Sequence, residues 1–83
     1  MSSVKVKLLY FGAAGDITGK RGERVTLVKG SVGQLLDMLE GRYAGLEDLR
    51  RSSRVAVDQE LVDEEFELNG GETVALLPPV AGG

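Results

Sequence analysis

Polar and apolar positions alternate at the start of the chain. In Val4-Lys5-Val6-Lys7-Leu8-Leu9-Tyr10-Phe11 the alternation then gives way to residues apolar on both faces, the pattern of a strand whose far end is covered twice. Gly12, Gly15, Gly19 and Gly22 punctuate the next dozen residues, which read as a flexible loop. Glu23-Arg24-Val25-Thr26-Leu27-Val28 resumes a period-two, β-branched run. Two strands joined by a glycine-rich loop predict a hairpin.

The period then changes. Ser31-Val32-Gly33-Gln34 has the spacing of a capping box, in which the serine side chain accepts from the Gln34 backbone and the glutamine side chain reaches back to Ser31. Val32, Leu35, Leu36, Leu39 and Tyr43 follow at helical intervals, leaving Asp37, Glu40 and Arg42 to water, so a helix is expected to run from here to near Gly45. Residues 46–50 are compatible with a further helical turn. Residues 54–57 read as a short buried strand, Asp58-Gln59 as its turn, 60–62 as a brief extended piece and 63–67 as a charged loop. Asn69-Gly70-Gly71 is a turn leading into a last strand over 72–77. Pro78 and Pro79 remove two backbone donors, end sheet pairing and send residues 78–83 out as an extended, flexible tail. The order predicts one α+β domain over residues 1–83. It fits a β-grasp, or ubiquitin-like, roll: a mixed sheet of four to five strands with one main helix packed on it. Strand pairing is not readable from the sequence.

Composition narrows the chemistry. At 83 residues, with 42% apolar and 28% charged side chains, the chain is long enough for one folded domain. It has no cysteine and no histidine. That removes disulfides, the usual zinc ligand sets and every Ser-His or Cys-His catalytic pair, and no metal or bound cofactor is expected. No apolar run reaches membrane-spanning length and the first residues lack a hydrophobic signal region, so a cytoplasmic protein is expected. The net charge is −3, but residues 1–42 carry seven basic and four acidic groups while residues 43–83 carry three and nine. The acidic half repels phosphate backbones, so nucleic acid is an unfavoured partner and a basic protein surface a better one.

Three segments invite a chemical reading. Gly12 to Arg21 superficially suggests a phosphate cradle, but Gly15 and Gly19 enclose three residues where a P-loop needs four, and Lys20 is followed by Arg21 instead of Ser or Thr. The acidic run Asp58, Glu60, Asp63, Glu64, Glu65, Glu67 lacks the calcium-loop pattern and reads as a solvated loop. The ending Pro78-Pro79-Val80-Ala81-Gly82-Gly83 is the most informative. Small residues beyond two prolines make a thin probe, glycines lack the Cβ that would crowd a narrow channel, and an ionised α-carboxylate can attack an activated phosphate to become an acyl donor. With no ATP site of its own, such a chain would be the substrate of an activating enzyme.

These residues resemble a known family. Val6-Lys7-Leu8-Leu9-Tyr10-Phe11-Gly12, Val55-Ala56-Val57-Asp58-Gln59-Glu60-Leu61-Val62, Asn69-Gly70-Gly71-Glu72-Thr73-Val74-Ala75 and the Pro-Pro-Val-Ala-Gly-Gly ending occur in the order found in the ubiquitin-like sulfur carriers of the MoaD/ThiS group, within it the branch serving molybdopterin synthase. The resemblance implies that Gly83, preceded by Gly82, is adenylated by an E1-like enzyme that consumes ATP and is then converted to a thiocarboxylate. It further implies insertion of the tail into the large subunit of molybdopterin synthase, in a heterotetramer, where sulfur passes to cyclic pyranopterin monophosphate. By resemblance the partner-binding residues are Phe11, Leu61 and Leu77 with Pro78, Pro79, Val80 and Ala81, although Leu61 and Leu77 fit a sheet core equally well. The chain departs from the family in having Asp58 where many members have Asn, and Gly15 near a position that is often basic. A ubiquitin-like modifier, a thiamine-pathway carrier and a plain β-grasp adaptor remain as alternatives.

Overall fold

The computed structural model describes residues 3–28 and 30–79. Alternation in the first strand, β1 (Ser3–Tyr10), turns Val4, Val6, Leu8 and Tyr10 into the core and leaves Ser3, Lys5 and Lys7 exposed. The second, β2 (Gly22–Val28), buries Val25 and Leu27 and pairs antiparallel with β1, Val6 opposite Val25. The strands meet closely at Gly22, where a Cβ would lie 2.5 Å from the Leu8 carbonyl oxygen, so only glycine fits.

The connection between them is not the loop that its glycines suggest. Ala13–Thr18 form a short helix, α1, despite Gly15 within it. Tertiary packing overrides propensity here: Ala14 is wholly buried, the Thr18 hydroxyl donates back to the Ala14 carbonyl at 2.9 Å, and Gly19 closes the helix in the left-handed region.

The main helix, α2 (Val32–Arg42), starts where the capping box places it. Ser31 N donates to Gln34 Oε1 at 2.8 Å, and Gln34 N donates to Ser31 Oγ at 3.3 Å. Val32, Leu35, Leu36 and Leu39 are buried along one stripe. The helix stops before Gly45, because Tyr43 leaves it with extended backbone, and Gly45 instead makes a left-handed turn, φ +92°, into a third helix, α3 (Leu46–Ser52). That helix is longer than the single turn expected.

The remaining strands are β3 (Arg54–Val57), β4 (Glu60–Val62) and β5 (Thr73–Leu77). Asp58 and Gln59, both at positive φ, form the two-residue turn between β3 and β4. The sheet order is β2-β1-β5-β3-β4, with β5 parallel to β1 and the other neighbours antiparallel. One face of this five-stranded mixed sheet is closed by a core that joins Leu8, Val74 and Leu76 to Leu35, Leu36, Leu39, Leu46 and Leu68. Residues 63–68 are held against the start of α2: Gly33 N donates to the Glu64 carbonyl, Val32 N to that of Phe66, and Leu68 N to that of Gly30, all within 2.9 Å.

Candidate functional site

Among the described residues no helix lies on the other face of the sheet, and topology gathers its apolar residues at one end. β1 and β5 run parallel and finish together, while β3, antiparallel to β5, begins there and β4 returns to it. Leu9, Ala75, Ala56 and Leu61 form one cross-strand row. The pairing of Tyr10 with Leu76 carries Phe11 beside Leu77 one step further on. Phe11 and Leu61 are 48% and 59% exposed, which places both on the surface and not in the core, and Leu77 is half-buried. Three residues far apart in sequence therefore share one face, and Arg54, exposed and opposite Leu77, adds a cation at its edge. Pro78 and Pro79 follow directly, outside the sheet. The positions assigned to the tail beyond them, Val80, Ala81, Gly82 and Gly83, lie outside the described residues.

Behind this end, on the covered side, stands a polar cluster that sequence reading missed. The Tyr10 and Tyr43 hydroxyls both donate to Glu23 Oε2 at 2.6 Å, and Lys20 Nζ meets Oε1 at 3.1 Å. The tyrosine rings pack edge to face, with centroids 6.3 Å apart. Burial resists ionisation of Glu23, but the three donors outweigh it and hold the carboxyl below its ordinary range. Burial, and then the bond to Glu23, pushes the Tyr10 hydroxyl well above its ordinary value, so it stays a proton donor. The cluster ties the end of α2 to β1 and β2. One signal could have revealed it: Glu23 falls on the same parity as Val25 and Leu27, a carboxylate on the buried side of its strand.

The acidic run is exposed throughout, as a solvated loop should be, and one of its members, Glu64, is tied to the fold by an arginine. Arg50 of α3 donates to Glu64 Oε1 at 2.6 Å, to Asp37 Oδ1 at 2.7 Å and to Glu40 Oε2 at 2.8 Å. The guanidinium holds the Glu64 carboxyl below its ordinary range against an opposing burial effect. Asp58 accepts from Thr73 N at 3.0 Å while its own N–H donates to the Thr73 carbonyl at 2.9 Å, so the aspartate holds the turn with side chain and backbone together. Glu72 caps the Asn69 and Gly70 amides at 2.7 and 2.6 Å. These carboxylates hold loops. Among the described residues no group of three or more acidic side chains is placed to hold a metal ion, and no helix is long and apolar enough to cross a membrane.

A helix gripped by a five-stranded mixed sheet, with an apolar patch where the last strand gives way to two prolines, defines a ubiquitin-like β-grasp protein. The family model described as the ThiS family matches residues 8–83, and the chain belongs to that family. It is 36% identical over 83 residues to the human molybdopterin synthase sulfur carrier subunit, covering 95% of this chain and 94% of the relative. Against the molybdopterin synthase sulfur carrier subunit of Mycobacterium tuberculosis (strain ATCC 25618 / H37Rv) it is 37% identical over 82 residues, covering 96% and 99%. The crystal structure of the Haloferax volcanii small archaeal modifier protein 1 superposes with a TM-score of 0.81 at 25% identity, covering 93% of this chain and 99% of that one.

Proposed function

We propose that this chain is the sulfur carrier subunit of a molybdopterin synthase, with the Gly83 carboxyl as the site of sulfur loading. The observation that carries the reading is the full-length similarity to two sulfur carrier subunits at 36% and 37% identity. In the proposed cycle the Gly83 carboxylate attacks the α-phosphate of ATP on an E1-like enzyme, forming an acyl-adenylate and releasing pyrophosphate. A sulfur nucleophile then displaces AMP and leaves a thiocarboxylate. Inside the large subunit that sulfur passes to cyclic pyranopterin monophosphate, the acyl C–S bond breaks, and water supplies the oxygen that restores the Gly83 carboxylate. The chain's own contribution is presentation: Phe11, Leu61 and Leu77 dock on the partner, Pro78 and Pro79 lift the tail from β5, and Val80, Ala81 and Gly82 fit a channel too narrow for larger side chains. Such a cycle belongs in the cytoplasm, where ATP and the activating enzyme are at hand.

The H. volcanii modifier protein favours a second reading, in which the same acyl-adenylate is transferred to a lysine of a target protein. Intact and C-terminal-peptide mass spectrometry of protein isolated from its own cells separates the two. Replacement of oxygen by sulfur adds nearly the mass of an oxidised Met1 or Met38, so fragmentation must place the change on Gly83. A thiocarboxylate there supports the carrier. Gly83 in isopeptide linkage to lysines supports the modifier, and a plain carboxylate that persists with activating enzyme, ATP and a sulfur source refutes both.

A further inference from the structure

We propose that the basic half of the open sheet face, formed by Lys5, Lys7 and Arg24, is a second docking surface that receives an acidic stretch of the protein covering the apolar half. The proposal rests on the function proposed above, in which a partner subunit seats against Phe11, Leu61 and Leu77.

Lys5 and Lys7 alternate along β1 with buried Val4 and Val6, and Arg24 precedes buried Val25 in β2, so all three cations lie on the face away from the core. Together with Gly71 and Thr73 they line one recess of about 330 Å³. Lys7 stands directly opposite Arg24 in the antiparallel register. Like charges so placed repel and disfavour the pairing that brings them together. The chain has 13 carboxylate side chains to relieve such repulsion, yet among the described residues none lies within 4 Å of Lys5, Lys7 or Arg24. Arg50, by contrast, gathers three carboxylates. A folding cost left in place on an exposed face, beside abundant means to remove it, points to a use outside the fold.

Position names the occupant. The row Arg24–Lys7–Thr73 is one same-face step along the strands from the row Leu9–Ala75–Ala56–Leu61. That step is about 7 Å, so a protein covering the apolar row reaches the basic one without a separate interface. The complementary surface is acidic protein and not nucleic acid, because the cations adjoin an apolar row that a phosphate backbone leaves unused, and three cations on a chain of net charge −3 give a polyanion little long-range attraction.

The test titrates the full-length chain into the purified large subunit of the same organism's molybdopterin synthase by calorimetry, at about 50 mM and about 500 mM salt, where the screening length falls several-fold. Lys5→Glu/Lys7→Glu is expected to weaken binding about tenfold at low salt and to converge with wild type at high salt. Lys7→Glu alone is expected to weaken binding while leaving the melting temperature equal or higher, since it faces Arg24 with the opposite charge; a merely structural role would move both the same way. Wild-type affinity and salt dependence in the double variant would overturn the patch while leaving the carrier reading intact. A wild-type chain that does not bind the large subunit overturns both. Tighter binding of a labelled duplex DNA than of the large subunit, lost in the double variant, would reassign the surface to nucleic acid and overturn the proposal.

Discussion

Val6 and Lys7 are neighbours in β1, yet Val6 is 1% exposed inside the core while Lys7 stands in solvent above it. The same division runs across the sheet. On the covered face Leu8, Val74 and Leu76 are as inaccessible as the α2 leucines they meet, and even the carboxylate of Glu23 is held by three donors. On the open face an apolar row and an unrelieved basic row lie side by side, and Phe11 and Leu61 remain exposed. One face thus accounts for folding. The other, built from the same strands, leaves Phe11, Leu61, Lys5 and Lys7 exposed and available to a partner.

The sharpest way to break this division is to cut one leucine from each face. Leu8→Ala removes a side chain that is 1% exposed, and it is expected to cost about 3 kcal/mol, read as a shift in the denaturation midpoint. A cost near that of a surface change would mean that the covered face is not the core. Leu61, at 59% exposure, is expected to behave in the opposite way. Leu61→Asp keeps stability within about 0.5 kcal/mol but weakens binding of the proposed large subunit by about a hundredfold, as loss of a central apolar anchor does. If Leu61→Asp unfolds the chain and leaves residual binding unchanged, the two faces are not separable.

Legibility in the sequence follows the same line. β1, β2 and β5 were readable because burial of a single face imprints period two, β3 and β4 only as a short buried run and a brief extended piece, and α2 because its cap and its stripe agree. The helix α1 was not, since three glycines flank or interrupt six residues whose stability comes from burying Ala14, a tertiary fact. The pairing of β1 with β2 was expected as a hairpin, but the placing of β5 on the other side of β1 was beyond reach, because hydrophobic pattern records which face is buried and not which distant strand is next. For the same reason Phe11, Leu61 and Leu77 were nameable only through family resemblance, and whether they sat in the core or on the surface depended on register. The Glu23 cluster joins residues 13 and 20 apart in sequence and left only the parity signal of a buried-side carboxylate.

That cluster sharpens the comparison through pH. Because the folded state holds the Glu23 carboxyl below its ordinary range, the stabilisation is present above the unfolded value, near 4.3, and is lost as pH falls through the lowered folded one. Glu23→Ala leaves two tyrosine hydroxyls without their acceptor and is expected to cost about 2 kcal/mol at neutral pH. Glu23→Gln keeps an acceptor oxygen but no charge, so its stability is expected to fall less than that of wild type between about pH 6 and about pH 3. Parallel pH profiles for the two proteins would assign acid sensitivity elsewhere, with Glu64, held low by Arg50, the next group to substitute.

The smallest expected effect concerns the turn that delivers Leu61 to the open face. Asp58 and Gln59 have φ values of 49° and 73°, a region in which a side chain crowds the backbone. Asp58 offsets the strain with its paired bonds to Thr73, but no hydrogen bond of the Gln59 side chain does the same among the described residues. Gln59→Gly relieves about 1–2 kcal/mol of left-handed strain and loses part of that gain to the larger conformational entropy of glycine in the unfolded chain. A net gain of about 0.5 kcal/mol is expected, measured by chemical denaturation, with partner affinity unchanged because the register of Leu61 opposite Ala56 is kept. A gain in stability accompanied by a loss of affinity would mean that the turn itself touches the partner, extending the docking surface beyond the two rows of the open face.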